Sequence, residues 1–196
     1  MSQHSIDSTR QRPRLVVGMS GSSAPALGVR LLEVLSSLDV VETHLVLSEG
    51  ARVSIKHELD VDPDSIADLA DVAHDPRNLA ASVSSGSFKT IGMVVMPCSM
   101  RTLAAIATGN TTELLSRAAD VTLKERRRLV LVTRETPLNL IHIRNMETVT
   151  LAGAVVLPPV PTFYHRPRTI QDLLDQTVGK VLDQFDIEHD LFRRWS

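Results

Sequence analysis

The chain has 196 residues, with 21 Lys and Arg against 23 Asp and Glu, and its formal net charge is −2. This length suits one domain with a substantial core, and the charge balance gives no reason to expect nucleic acid or an anionic membrane as a partner. One cysteine excludes an intrachain disulfide and favours a reducing compartment. No run reaches the roughly 18 apolar residues of a membrane-spanning helix. We expect a cytoplasmic protein with a disordered tail over 1–12 and a single domain over 13–196.

Short apolar runs alternate along the chain with segments of helical period. The runs predict strands at 14–20, 42–48, 92–99, 128–135 and 154–160. The periodic segments predict helices at 26–38, 49–59, 64–70, 102–107, 111–125, 137–151 and 169–186. This alternation predicts an α/β fold with a single doubly wound, Rossmann-like parallel sheet and helices on both faces. The long excursion over 71–90 is expected to serve a site or a partner.

Polar or proline-rich residues follow the end of every predicted strand. These clusters are 20–23, Ser48, 97–102, 133–137 and 158–167. Because ligands of an open parallel sheet bind beyond the carboxyl ends of its strands, the clusters predict a crevice along that edge. Gly and Ser before a helix can surround a phosphate with N–H groups and hydroxyls. The first cluster completes neither a P-loop nor a dinucleotide fingerprint, so a tight turn between strand and helix stays an alternative to phosphate binding.

Other candidate groups have ordinary structural explanations beside the functional ones. Cys98 ends a buried strand, where packing is commoner than nucleophilic catalysis. The seven histidines lack the usual spacing of metal ligands, so we expect no metal site. Arg134 and Glu135 stand where an apolar strand leaves the sheet, and they either form an ion pair that caps the next helix or belong to a site. Arg117 and Lys124 are seven residues apart on one helical face, where exposed charges are common.

Five segments resemble, in order, the UbiX/Pad-type flavin prenyltransferases, which belong to a flavoprotein superfamily that also contains cysteinyl decarboxylases. The segments are "MPCSMRTLAAIATG", "RAADVTLKERR", "RETPLNLIHIRNM", "GAVVLPPVPTFYHRP" and "DLFRRW". The resemblance implies an enzyme that joins the dimethylallyl group of dimethylallyl phosphate to N5 and then C6 of reduced FMN, without a metal. The prenylated FMN would serve a UbiD-type decarboxylase. The resemblance also implies a homo-oligomer, for which a dodecamer is one candidate.

The resemblance also assigns roles to individual residues. The expected FMN-binding residues are Gly21, Ser22, Ser23, Ser48, Ser99, Met100, Arg101, Thr102 and Arg134. The residues expected to hold the prenyl phosphate are Lys124, Arg134, Tyr164, Lys180 and, from a neighbouring subunit, Arg117. Ser23 is the hydroxyl expected near N5, and Glu135 is the expected acid/base group. Cations and a phenol can stabilise a departing phosphate without a metal, and a carboxylate among them can move a proton.

The chain departs from the family pattern at a few positions. Ala24, followed by Pro25, stands where the family usually has Gly, and Leu27 stands where an aromatic residue is frequent. Lys180 replaces an Arg that many members carry, which exchanges a bidentate clamp for a point charge. Two alternatives therefore stay open. The first is a non-catalytic subunit that binds or delivers FMN. The second is a cysteinyl-type decarboxylase, although the segment from Thr136 onwards lacks that group's P-x-M-N-x-x-M-W-like stretch.

Overall fold

A computed structural model describes residues 12–195. Within them, six strands and seven helices alternate. The strands are β1 Arg14–Met19, β2 Glu42–Leu47, β3 Val72–His74, β4 Gly92–Cys98, β5 Arg128–Thr133 and β6 Val155–Val156. The helices are α1 Pro25–Leu38, α2 Glu49–Leu59, α3 Pro63–Ala67, α4 Met100–Ala107, α5 Leu114–Lys124, α6 Leu140–Leu151 and α7 Ile170–Asp183. Every strand pairing is parallel, in the order β3-β2-β1-β4-β5-β6. The predicted doubly wound α/β fold is confirmed.

Apolar side chains on both faces of the sheet form the core. On one face, Leu31 of α1 and Val178 of α7 are fully buried with alternate residues of the central strands. On the other face, Leu103 of α4 and Leu114 of α5 are fully buried with the remaining ones. All seven residues of β4 are buried. The near-continuous apolar runs in the sequence follow from this covering on both sides.

Several elements differ from those that the sequence predicts. The excursion over 71–90 contains β3, which pairs over only three residues with β2 and is too short to leave a pattern. Of the fifth predicted strand, 154–160, only the two residues of β6 pair with the sheet, because Pro158 and Pro159 have no N–H to donate to a neighbouring strand. The fourth, 128–135, ends at Thr133, just before the polar pair Arg134 and Glu135.

The described chain begins in contact with the sheet. Residues 1–11 of the predicted tail lie outside the described part. Arg12, the last residue of that prediction, pairs with the carboxylates of Asp39 and Asp71, and its guanidinium donates to the carbonyl oxygen of Val41 at 3.0 Å. Over the described range, no helix combines the length and apolar character that crossing a membrane requires.

Candidate active site

The strand order reverses between β1 and β4, and the carboxyl ends of these two strands are joined by Ser20. Its hydroxyl donates to the carbonyl oxygen of Pro97 at 3.0 Å and accepts from the backbone N–H of Ser99 at 2.7 Å. Ser20 is 2% exposed. These bonds fix the turns after β1 and β4 against each other at the point where ligands of doubly wound sheets bind.

Two helices begin at this edge with serine caps. The hydroxyl oxygen of Ser48 accepts from the N–H of Ala51 at 3.1 Å in the first turn of α2. The hydroxyl oxygen of Ser99 accepts from the N–H of Thr102 at 3.2 Å in the first turn of α4. The first N–H groups of a helix have no partner within it and carry a partial positive charge. The edge therefore presents two positive helix ends, which favour an anion such as a phosphate.

A cavity of about 390 Å³ lies between these helix ends, within the size range of small-molecule sites. Its lining includes these predicted site residues: Gly21, Ser48, Ser99, Met100, Arg101, Thr102 and Glu135. The structure thus brings together residues from the loops after β1, β2, β4 and β5. Sequence reasoning missed other lining residues, namely Glu49, Gly50, Pro76, Arg77 and Glu113.

The two arginines that line this cavity are each paired with a carboxylate of the protein. The guanidinium of Arg101 donates to Glu113 at 2.7 Å, and that of Arg77 donates to Asp75 at 3.2 Å. Hydrogen bonds from the backbone N–H and the guanidinium of Arg77 lower the pKa of Asp75. Both arginines are bound at solvent-exposed carboxylates, where an ion pair is weak. A phosphate could therefore recruit either guanidinium at little cost.

Gly21 and Gly50 bring the loops after β1 and β2 into backbone contact at the cavity wall. A Cβ built on Gly21 would lie 2.8 Å from the Cα of Gly50, closer than real contacts allow. A side chain at either position would separate the two loops. The small residues after β1 therefore leave backbone groups at the cavity surface. Together with the serine-capped helix ends, this surface fits a flat ligand that carries a phosphate, as FMN does.

Glu58, which the sequence analysis did not single out, holds the start of α1. Its Oε2 atom accepts from the Ser23 hydroxyl at 3.1 Å and from the backbone N–H of Ala24 at 2.9 Å. Ala24 is the N-cap of α1 but has no side chain that can cap it, and its backbone is left-handed, with φ 68°. The carboxylate of Glu58 thus binds the N–H of the N-cap residue, a contact that the acidic residue of a capping box makes in other helices. The two partners are 35 residues apart in sequence, so no local pattern predicts the contact.

Arg134 and Glu135 face different cavities. Glu135 lines the 390 Å³ cavity, and Arg134 lines a neighbouring hollow of about 270 Å³. The other residues of this hollow are largely apolar: Ala24, Leu27, Pro159, Pro161, Ile170, Leu173, Leu174 and Thr177. The hydroxyl of Ser22 donates to the carbonyl oxygen of Arg134 at 3.0 Å, which ties the loop after β1 to the wall between the two spaces.

The alternative of an Arg134–Glu135 ion pair that caps a helix has no counterpart in the described structure. Glu135 instead accepts from the N–H of Thr136 at 3.0 Å. Helix α6 is capped by Asn139, whose side chain accepts from the N–H of His142 at 2.9 Å. Since another residue caps the helix, Arg134 and Glu135 are available to the cavities that they line.

The other four residues expected at a phosphate line neither of these two cavities. Arg117 pairs with Asp120 at 3.0 Å, and Lys180 pairs with Asp183 at 3.5 Å. Tyr164 packs edge to face on Trp195, with ring centroids 5.8 Å apart.

Lys124 lies far from Glu135, although the family resemblance assigns both to the chemistry at the prenyl phosphate. It pairs with Glu125 at the end of α5, just before β5 begins at Arg128. Arg128 lies level with Gly92, the first residue of β4, so Lys124 is at the amino edge of the sheet, opposite the cavity. The roles of these four residues stay predictions.

Cys98 is fully buried at the end of β4, and this burial raises the pKa of its thiol to about 12. A thiol in that state is a poor nucleophile. Among the described residues, no group of three or more His, Cys, Asp or Glu side chains is arranged to hold a metal ion.

The parallel sheet and the cavity at its switch point, with serine-capped helix ends, define a flavoprotein-type α/β domain. The flavoprotein family profile matches residues 3–191. Flavin prenyltransferase UbiX of Escherichia coli K12 is 55% identical over 185 residues, which are 93% of this chain and 98% of that protein. The chain therefore belongs to the flavoprotein family and, within it, to the flavin prenyltransferases of the UbiX type.

Solved structures of relatives agree with this assignment. The structure of AnUbiX (PadA1) in complex with FMN and dimethylallyl pyrophosphate is 54% identical, with a TM-score of 0.93, and covers 95% of this chain and 98% of its own. A dodecameric FMN-dependent UbiX-like decarboxylase from Escherichia coli O157:H7 is 49% identical, with a TM-score of 0.91. The match covers 93% of this chain and 99% of that one.

Proposed function

We propose that this chain joins the dimethylallyl group of dimethylallyl phosphate to N5 and C6 of reduced FMN. The observation that carries this proposal is the placement of Arg134 and Glu135 on two adjoining cavities. One cavity is bordered by serine-capped helix ends and suits a phosphate-bearing ring system. The other is apolar with a cation in its lining and suits a short prenyl phosphate. Because Arg134 and Glu135 are adjacent in sequence, the two cavities hold the reactants close to each other, which supplies part of the positioning that a bond between them requires.

The residues proposed to hold FMN are the backbone around Gly21 and the hydroxyls at the starts of α2 and α4. Ser48, Ser99 and Thr102 supply these hydroxyls, and the positive helix ends favour the FMN phosphate. Ser22 contributes indirectly, because its bond to the Arg134 carbonyl fixes the wall between the cavities. When bound, reduced FMN supplies the N5 and C6 atoms that become bonded to the prenyl group.

Ser23 and Glu58 are proposed to handle a proton beside N5. Since the Ser23 hydroxyl donates its hydrogen to Glu58, the lone pairs of its oxygen stay available to accept an N–H. Glu58 can take the proton that Ser23 passes on, which makes the pair a short relay. Glu135 is proposed to serve as the second acid/base group. It protonates the departing phosphate or takes the proton lost on ring closure.

Charge neutralisation at the prenyl phosphate is assigned to Arg134, Tyr164 and Lys180, with Lys124 and Arg117 supplied by a second copy of the chain. Lys124 lies at the opposite edge of the sheet, so it can reach a cavity only in a neighbouring subunit. Helix α6 supports association, because several large apolar residues in or just before it are exposed: Leu138, Leu140, Ile141, Ile143 and Leu151. We propose a homo-oligomer, with the dodecamer of the Escherichia coli O157:H7 relative as the reference.

The product is proposed to pass to a UbiD-type decarboxylase, as the family resemblance implies. We place the enzyme in the cytoplasm, where its lone buried cysteine would stay reduced. The alternatives of a delivery subunit and a cysteinyl decarboxylase differ from this proposal in one observable, because neither adds carbon to the flavin.

The proposal is tested by anaerobic incubation with reduced FMN and dimethylallyl phosphate, followed by mass spectrometry of the released flavin. We expect a gain of one prenyl unit, unchanged when EDTA is present, and no equivalent product with FAD. A parallel reaction with dimethylallyl pyrophosphate identifies the donor. Flavin that binds but keeps its mass would support the delivery subunit, and a reaction that stops in EDTA and recovers with magnesium would refute metal independence.

A further inference from the structure

A hydrogen-bonded chain of Glu42, His44 and His74 crosses from β2 to β3, and none of the three residues lines either cavity described above. The Oε1 atom of Glu42 lies 3.0 Å from Nε2 of His44, and Nδ1 of His44 lies 2.9 Å from Nε2 of His74. A carboxylate can only accept, so Nε2 of His44 carries a hydrogen, and Nδ1 of neutral His44 must accept. The hydrogen between the two rings therefore belongs to His74.

The pair is enclosed by the neighbouring strands and by the segment that follows β3. His44 is 3% exposed, and Phe88 packs edge to face on its ring with centroids 4.9 Å apart. The guanidinium of Arg14 on β1 lies 4.6 Å from the Phe88 ring centre and also bonds Glu42 at 3.3 Å. The charged groups that act on His44 are thus Glu42, Arg14 and Asp71, with His74 as its titratable partner.

Burial lowers the pKa of His44, and Arg14 adds to this effect while Glu42 opposes it. Burial also lowers the pKa of His74, with repulsion from His44 as the second cause. One proton can be shared between the two rings without loss of their hydrogen bond. A second proton places N–H against N–H and two positive charges in contact, which the geometry does not tolerate.

These side chains hold an edge strand that leads into the cavity wall. Strand β3 pairs over only three residues, so side-chain contacts contribute much of its attachment. Two residues after His74, Pro76 lines the 390 Å³ cavity, as does Arg77. At the other end of the segment, the guanidinium of Arg127 donates to the carbonyl oxygens of Gly86 and Phe88, both at 2.7 Å.

We propose that the His44–His74 pair is a protonation-sensitive latch that keeps β3 and the segment over 75–90 docked on the sheet, and thereby sets the cavity wall at Pro76 and Arg77. In the docked state the pair resists a second proton, whereas in the undocked state both imidazoles meet water and titrate near their ordinary value of about 6.5. The docked state is therefore fully favoured above that pH. It loses its advantage as the pH falls below it.

The test compares the wild type with His74→Gln by hydrogen–deuterium exchange at pH 7.5 and pH 5.0. The Gln amide can donate to Nδ1 of neutral His44, or turn its oxygen towards protonated His44, so it keeps the contact without adding a charge. His57→Gln, at an exposed position in α2, controls for loss of a histidine. Comparing proteins at one pH cancels the intrinsic pH dependence of exchange.

At pH 7.5 we expect equal exchange over 75–90 in all three proteins. At pH 5.0 the wild type and His57→Gln should exchange faster than His74→Gln by roughly thirtyfold, the effect of one suppressed proton about 1.5 pH units below its ordinary pKa. A wild-type to His74→Gln ratio that is the same at both pH values would overturn the latch. If His74→Gln fails to fold, wild-type histidine NMR decides, since uptake of a proton by both rings of the docked pair at pH 5.0 would also overturn it.

A second arm rests on the proposed function and measures FMN affinity by fluorescence quenching of the same proteins. Wild-type affinity should fall relative to that of His74→Gln between pH 7.5 and pH 5.0. Affinity that keeps a constant ratio to the variant contradicts the link from the latch to the cavity wall. If no protein binds FMN at either pH while the exchange results hold, the latch stands and the proposed function fails.

Discussion

Ala24 carries backbone strain at the start of α1 that a single substitution can relieve. Its φ of 68° and ψ of 46° lie in the left-handed region. For an L-residue with a side chain this conformation costs roughly 1–2 kcal/mol, whereas Gly adopts it freely. The contact of the Ala24 N–H with Glu58 holds the backbone there despite the cost. We therefore predict that Ala24→Gly stabilises the protein.

The expected gain is smaller than the strain, because two effects oppose it. Gly gives the unfolded chain more freedom, which costs about 0.4–1 kcal/mol. The Ala24 methyl is partly buried against the core, and its loss removes part of the roughly 0.8 kcal/mol that one buried carbon contributes. With strain near the upper end of its range, the net gain is about 0.5 kcal/mol, or a melting temperature higher by roughly 1–2 °C for a chain of this size.

Urea unfolding at one fixed protein concentration measures this change in the free energy of unfolding. Ala24→Val is the matched control, for which a change of opposite sign is expected. A β-branched residue is an outlier in the left-handed region, so the Val variant should lose at least about 1 kcal/mol. FMN affinity should stay close to wild type in the Gly variant, because Ala24 does not line the 390 Å³ cavity. A Gly variant that unfolds at lower urea than the wild type would refute the argument from strain.

Three further predictions concern the chemistry of the site. Glu135→Gln should keep the FMN affinity and lower the rate of prenylated FMN formation by on the order of 10²-fold, the usual loss when a positioned acid/base group is removed. If Glu135 had only a structural role, the substitution would leave that rate unchanged. Glu58→Gln should lower the free energy of unfolding by about 1 kcal/mol, because the hydrogen bond to the Ala24 N–H becomes weaker. The same variant should also slow prenylation, and a normal turnover rate would show that Glu58 takes no part in the proton relay. Cys98 should resist iodoacetamide at pH 8 in the folded protein and react after unfolding, and Cys98→Ala should stay active; stoichiometric labelling of the native protein would contradict the buried thiol.

Part of the cavity lining could be predicted because one rule relates position in the chain to position in space. Polar residues after parallel strands meet at one edge, so Gly21, Ser48 and Ser99 converge although long stretches of sequence separate them. The same rule says nothing about an acidic residue near the end of a helix. Glu58 reaches Ser23 only because α2 packs against α1, which no local periodicity encodes.

Short elements escape sequence reasoning for a different reason. Strand β3 has three residues, and a period of two cannot be recognised over so few positions. Its pairing depends instead on bonds between distant side chains, such as those of Asp71 with the N–H and hydroxyl of Thr43, at 2.7 and 2.9 Å. The sequence therefore marks 71–90 as an unusual excursion and does not indicate that part of it belongs to the sheet.

The expected phosphate-binding cations show a limit of reasoning about one copy of a chain. Helical spacing places Arg117 and Lys124 on one face of α5, but α5 starts at the cavity edge with Glu113 and runs to the opposite edge, where Lys124 ends it. A residue at that end can serve a cavity at the carboxyl edge only if a second copy brings the two edges together. Oligomerisation and activity should then be lost together. A charged residue in place of exposed Ile141 of α6 should therefore abolish prenylation if it yields a folded monomer, although the FMN-binding residues are unchanged.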